Sequence, residues 1–191
     1  MAIDNILIVS SQEQVVPSLV RLLKNEGCKN IGSVKNGNDA KRAAREKDIS
    51  LILIFTPLED GFGDELALEL IKNTGAAVMM IVKGELEAMT ESRLLPYGGF
   101  VLGLPLSRMV FHKALNFIEA AQNRIVGMKK ENIKLQKKVE DSRIINRAKY
   151  ILMEYLSMSE SQAHRYIEKQ AMDLRLTKVE VAKNLLSTYD S

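Results

Sequence analysis

Six cations and one aromatic ring in the last fifty residues could handle a polyanion. Arg147, Lys149, Arg165, Lys169, Arg175 and Lys178 can reach phosphates, and Tyr150 can offer a flat face to an unstacked base. From Met128 onward, 13 Lys and Arg stand against 9 Asp and Glu, leaving the rest of the chain near neutral. That balance suits a compact nucleic-acid surface, but a solvated helical face gives the same count. Enzyme chemistry has fewer parts to work with. There are two histidines, His112 and His164, both in helical stretches, and His164 reads as an exposed bystander. There is no Gly-rich phosphate loop and no Cys/His metal spacing. The expectation is a chain that binds rather than catalyses, with no catalytic residue, no metal and no cofactor.

The elements that must position these residues are legible in the hydrophobic pattern. At 191 residues, 46% hydrophobic and 27% charged, one or two domains can each bury a core. Short apolar runs at 6–9, 31–34, 51–55, 78–82 and 100–102 read as strands. Helical patterns lie between them at 15–23, 38–47, 64–73 and 86–95, with Pro17 tolerable in a first turn. Five such units imply a parallel sheet covered on both faces, a doubly wound α/β fold of the flavodoxin-like type.

From Ser107, a plausible N-cap, the chain turns helical. A heptad runs through Ile118, Ala121, Ile125, Met128, Asn132, Leu135 and Val139, flanked by charged residues. This predicts a coiled-coil seam and a homodimer, with Asn132 fixing the register. Two capping boxes follow, Ser159-Glu160-Ser161-Gln162 and Thr177-Lys178-Val179-Glu180. They divide the tail into three helices closing an all-α bundle. Its expected stripes are Ala148, Ile151, Leu152 and Tyr155; Ala163, Tyr166, Ile167, Ala171 and Leu174; and Val181, Ala182 and Leu185. Met172 is also expected to pack in this core. The expected division is 1–120, 121–143 and 144–191.

Cys28 is the only cysteine, so no intrachain disulfide can form and a reducing interior is expected. The start Met1-Ala2-Ile3-Asp4-Asn5 lacks a signal-peptide pattern, and no run reaches ~18 apolar residues. A cytoplasmic protein without a membrane span is expected.

Two resemblances add to this reading. Asp48-Ile49-Ser50-Leu51-Ile52-Leu53-Ile54-Phe55-Thr56-Pro57-Leu58-Glu59-Asp60-Gly61 resembles the response-regulator receiver pattern D-L-V-L-L-D-I-x-M-P-x-x-D-G. The resemblance covers the first 120 residues or so. Its chemistry is missing. The phosphoacceptor position falls on Leu53, and a shift to Phe55 would supply no nucleophile either. Ser10-Ser11-Gln12 replaces the acidic pair that holds Mg²⁺, Val82 the switch hydroxyl, and Leu104 the lysine before Pro105. Glu59 and Asp60 read as solvated loop residues. The resemblance thus implies a pseudo-receiver controlled without aspartyl phosphate, for instance by a sensor protein bound to it.

The second resemblance rests on Arg147-Ala148-Lys149-Tyr150-Ile151-Leu152-Met153, Ser159 to Ala163, Ala171-Met172-Asp173-Leu174-Arg175 and Val181-Ala182. In order and spacing these are similar to the ANTAR module of bacterial transcription antiterminators. This implies binding to hairpin loops of a nascent leader RNA, through the cations and ring named above. Two alternatives stay open: a DNA-binding response regulator, and a dimeric sequestration or scaffold protein without nucleic-acid binding. Against the first, the tail shows no clear helix-turn-helix with a basic recognition helix.

Overall fold

The computed structural model describes Ile3 and residues 5–189; Met1, Ala2 and Asp4 of the expected leaderless start lie outside the described residues, as do Asp190 and Ser191. Strands β1 (Asn5–Val9), β2 (Asn30–Val34), β3 (Leu51–Phe55), β4 (Ala77–Lys83) and β5 (Phe100–Leu104) alternate with helices α1 (Val16–Asn25), α2 (Gly37–Glu46), α3 (Asp64–Asn73) and α4 (Gly84–Leu94). A 3₁₀ turn at Leu95–Tyr97 precedes β5. Three helices follow: α5 (Arg108–Leu156), α6 (Glu160–Leu174) and α7 (Lys178–Tyr189). The chain divides into two compact units, one through Ile125 and one from Val126, and α5 supplies residues to both.

In the first unit all strands are parallel, in the order β2-β1-β3-β4-β5. The central register aligns Ile8 with Leu53, Leu53 with Met79, and Met79 with Phe100. Because side chains alternate along a strand, the continuous apolar runs feed two cores. Ile6, Ile8, Leu51, Leu53, Met79 and Ile81 pack with Leu19 and Leu23 of α1 and with Phe111, Leu115 and Ile118 of α5. Leu7, Val9, Ile52, Ile54, Val78 and Met80 pack with Ala40 of α2, Leu66, Ala67 and Leu70 of α3, and Leu94 of α4. Each of these Val, Leu, Ile, Phe and Met side chains contributes about 1.5–3 kcal/mol through burial.

This arrangement corrects one seam residue. Ile118, expected to face a partner, is only 1% exposed and completes the Phe111-Leu115-Ile118 face on the sheet. Beyond it the environment changes. Every residue from 123 to 140 is exposed, including Ile125, Met128, Asn132, Leu135 and Val139. Ala121 is half-buried.

In the second unit the end of α5 closes a core with α6 and α7. Ala148, Leu152, Ala163, Ile167, Ala171, Val181 and Ala182 are buried together, with Ile144, Ile145, Met153, Tyr166 and Leu185 around them. Ile151 is buried as well. The alanines let the three axes approach. Tyr155 and Leu174, expected in these stripes, are exposed because each lies in the last two residues of its helix. Tyr155 meets the ring of Tyr189 instead, with centroids 5.4 Å apart. No described helix is long and apolar enough to cross a membrane.

Candidate nucleic-acid interface

The C-terminal edge of the sheet, where a receiver carries out phosphoryl chemistry, is lined differently here. Leu53 is fully buried in mid-strand, and β3 runs on to Phe55, which is also buried and apolar. The hydroxyls along this edge are committed to nearby backbone. Ser10 Oγ accepts from Gln12 N at 3.1 Å, Ser11 Oγ donates to Pro57 O at 2.9 Å, and Thr56 Oγ1 donates to Ile81 O at 3.2 Å. Val82 is buried and Leu104 half-buried. The start of α4 sits close against the end of β5: a Cβ on Gly84 would lie 2.7 Å from Leu104 O, so glycine is required there. Asp60 is exposed in its turn, as expected, and its Oδ2 also accepts from Gly37 N at 2.8 Å in the first turn of α2. Negative charge at a helix N-terminus is stabilising. Glu59 is exposed, as expected. Among the described residues no group of three His, Cys, Asp or Glu is placed to hold a metal ion.

The three-helix unit is held at its turns by the two capping boxes. Gln162 N donates to Ser159 Oγ and Ser159 N to Gln162 Oε1, at 3.3 and 2.8 Å. Glu180 N donates to Thr177 Oγ1 and Thr177 N to Glu180 Oε2, at 3.2 and 2.8 Å. The Thr177 N–H and hydroxyl, both donating to Glu180 Oε2, hold that carboxyl below its usual range. Arg175 adopts a left-handed conformation at φ 55°, ending α6, and its N–H returns to the last turn. Ser159→Ala is expected to cost about 1 kcal/mol of stability in urea unfolding, because the orphan N–H of Gln162 loses its acceptor. An unchanged midpoint would show that the first box contributes nothing.

The seven candidate residues separate into two groups. Tyr150 is 69% exposed, and Arg147, Arg165, Lys169 and Arg175 are exposed. Among the described residues no ion pair engages Arg165, Lys169 or Arg175. Lys149 and Lys178 are committed within the fold. The Lys149 side chain is only 14% exposed, and its Nζ donates to Glu160 Oε1 at 2.9 Å, tying α5 to the start of α6. Lys178 Nζ donates to Glu168 Oε1 at 2.5 Å, tying α7 to α6, and His164 Nε2 lies 3.2 Å from the same oxygen. The Lys149 ammonium holds the Glu160 carboxyl below its usual range, and the Lys178 ammonium does the same for Glu168. Both ties therefore operate above the ordinary carboxylate range and fade as pH falls through the lowered values.

Met172 departs from its expected core position and is 79% exposed. It follows Arg165 and Lys169 at the seven- and three-residue spacings that place side chains on one helix face. That face of α6 presents two cations and a flexible thioether, with Arg175 just past its end. Such a surface can neutralise phosphates and pack against bases or sugars.

Residues 134–186 match the family model described as ANTAR domain. They form an ANTAR domain. The match takes in the end of α5, all of α6 and most of α7. Over 185 residues the chain is 23% identical to the Transcriptional regulatory protein PdtaR of Mycobacterium tuberculosis H37Rv, covering 96% of this chain and 89% of the relative. The first unit is similar to solved receiver domains. A signal receiver domain of an HD domain-containing protein from Pseudomonas fluorescens Pf-5 superposes with a TM-score of 0.58 at 16% identity, covering 66% of this chain and 94% of that one. A two-component response regulator from Clostridium difficile gives 0.56 at 21%, covering 63% and 98%. The chain therefore joins a receiver-like fold to an ANTAR domain. Sequence reasoning missed Asn146, Met153 and Glu160, which line a small pocket beside Tyr150 in the ANTAR domain. The spacing of 146, 150 and 153 was the available signal.

Proposed function

We propose that this protein is a transcriptional regulator that binds hairpin loops in nascent leader RNA and promotes antitermination. The observation that carries this reading is the ANTAR domain with Arg165, Lys169, Met172 and Arg175 exposed together along and just beyond α6. Arginine and lysine supply affinity by displacing counterions from the phosphates. Loops rather than stems are the favoured target, because unstacked bases are accessible to side chains there. A hairpin stabilised by the bound domain denies its strand to an overlapping terminator.

The protein acts as a dimer in this reading. The exposed apolar positions Ile125, Met128, Leu135 and Val139, with Asn132 among them, gain a partner when a second copy pairs along α5. Two linked domains bind two loops with a higher effective concentration than either alone. Control runs through contacts of the receiver-like unit with a sensor protein or ligand and is independent of aspartyl phosphate. Its apolar Leu53 and Phe55 and backbone-bonded Ser10, Ser11 and Thr56 support that independence.

Transcription in vitro through a leader carrying a two-hairpin element ahead of a terminator tests the function. Added protein is expected to raise read-through, and to lose this effect when the loop bases are changed. Read-through indifferent to the protein would sink the proposal. Incubation with acetyl phosphate and Mg²⁺ is expected to give no phosphoprotein. Stable label on an acidic residue would overturn the claimed independence.

A further inference from the structure

We propose that the pocket between α5 and the start of α6 accepts a single unstacked nucleobase, an inference that rests on the RNA-binding reading above. The pocket, ≈200 Å³, is lined by Asn146, Lys149, Tyr150, Met153 and Glu160. Its size fits one planar ring system and not a paired stem. Asn146, Tyr150 and Met153 stand at four- and three-residue spacings and so share one face of α5.

Each wall has a chemistry suited to a base. The Tyr150 ring lies largely in solvent and contributes little to the bundle core, so its faces are free to stack. Met153 is half-buried and brings a polarizable thioether, which packs well against aromatic rings. The Asn146 amide is exposed, with no hydrogen-bond partner among the described residues, and offers a donor and an acceptor side by side. That pair matches the polar edge of a base.

The remaining two residues decide against a phosphate. Lys149 is bonded to Glu160 at 2.9 Å, so its charge is already matched. The Glu160 carboxylate, held in its charged form by that bond, repels a second anion. The pocket is thus neutral within a domain whose unpaired cations Arg165, Lys169 and Arg175 stand on α6 and just past its end. Phosphates go to those cations, and the base goes to the pocket. Lys149 and Glu160 are positioning residues that hold the wall in place.

The test begins with hairpin RNAs of randomised loop sequence, selected on the full-length chain. Single loop positions of a selected RNA are then made abasic and measured against wild type, Tyr150→Leu and Asn146→Ser. Tyr150→Leu is expected to weaken binding roughly ten-fold or more. At one loop position, base removal is expected to cost a similar factor, and the two losses are expected not to multiply. Asn146→Ser is expected to show the same non-additivity at that position, with circular dichroism unchanged for both variants. Multiplying losses at every position, or RNA binding unaffected by either variant, would overturn the pocket while leaving the RNA reading intact. Failure of the wild-type chain to enrich any RNA would remove the RNA reading, and the pocket with it.

Discussion

Changing Arg165, Lys169 and Arg175 together to Gln is expected to weaken binding to hairpin RNA by about ten- to a hundred-fold at moderate salt, with helicity retained. All three side chains are exposed, so their loss removes charge without opening the core. Each phosphate contact releases a counterion, so the slope of log K against log salt is expected to flatten by about 2–3 units. The two kinds of lysine make the comparison sharper. Lys149→Gln breaks the tie to Glu160, and Lys178→Gln the tie to Glu168. Those variants are expected to act on the ANTAR domain's packing more than on the salt slope. A triple variant with unchanged affinity and slope would mean that the exposed face of α6 is only solvated surface.

The second large effect separates two uses of α5. Ile118→Ala is expected to destabilise the receiver-like unit by about 2–5 kcal/mol, since it opens a cavity beside Phe111 and Leu115. Oligomeric state is expected to stay the same. Leu135→Lys with Val139→Lys is expected to do the reverse. Both positions are exposed, so the folded units keep their urea midpoints. Like charges then face each other across the seam, and the dimer dissociates in sedimentation equilibrium. Affinity for a two-hairpin RNA is expected to fall by about a hundred-fold or more as the effective concentration is lost, while affinity for a single hairpin holds. An unchanged mass for the double variant would show that this stripe is not the interface.

These residues also show what could be read from the chain. The βα alternation was legible because β1, β3 and β4 carry continuous apolar runs bounded by polar turns, with the shorter apolar signals of β2 and β5 between the helical patterns, and the sheet follows from it. Ile118 was misplaced because a heptad and a core-facing helical stripe coincide over one or two turns. Phe111, Leu115 and Ile118 fit the second pattern, and only the sheet beneath them settles the matter. Lys149 and Lys178 were read as phosphate contacts, and the bond from Gly37 to Asp60 was not foreseen, because their partners lie 11, 10 and 23 residues away on other elements. No local pattern reveals such a pair. Met172 follows Ala171 by one residue, a turn of about 100° on a helix. Ala171 took the core position, leaving the longer side chain outside. The pocket beside Tyr150 has a legible half, the face of α5, and a hidden half, the Glu160 wall brought in by the turn before α6.

The most direct test is equilibrium binding of the full-length chain to a two-hairpin leader RNA and to duplex DNA of equal length, across a salt series. The expected result is preference for the RNA at every salt concentration, abolished when the loop bases are changed and the stems kept. Equal, weak binding to both, insensitive to the loops, would contradict RNA recognition and favour a dimeric scaffold whose positive charge is merely solvated.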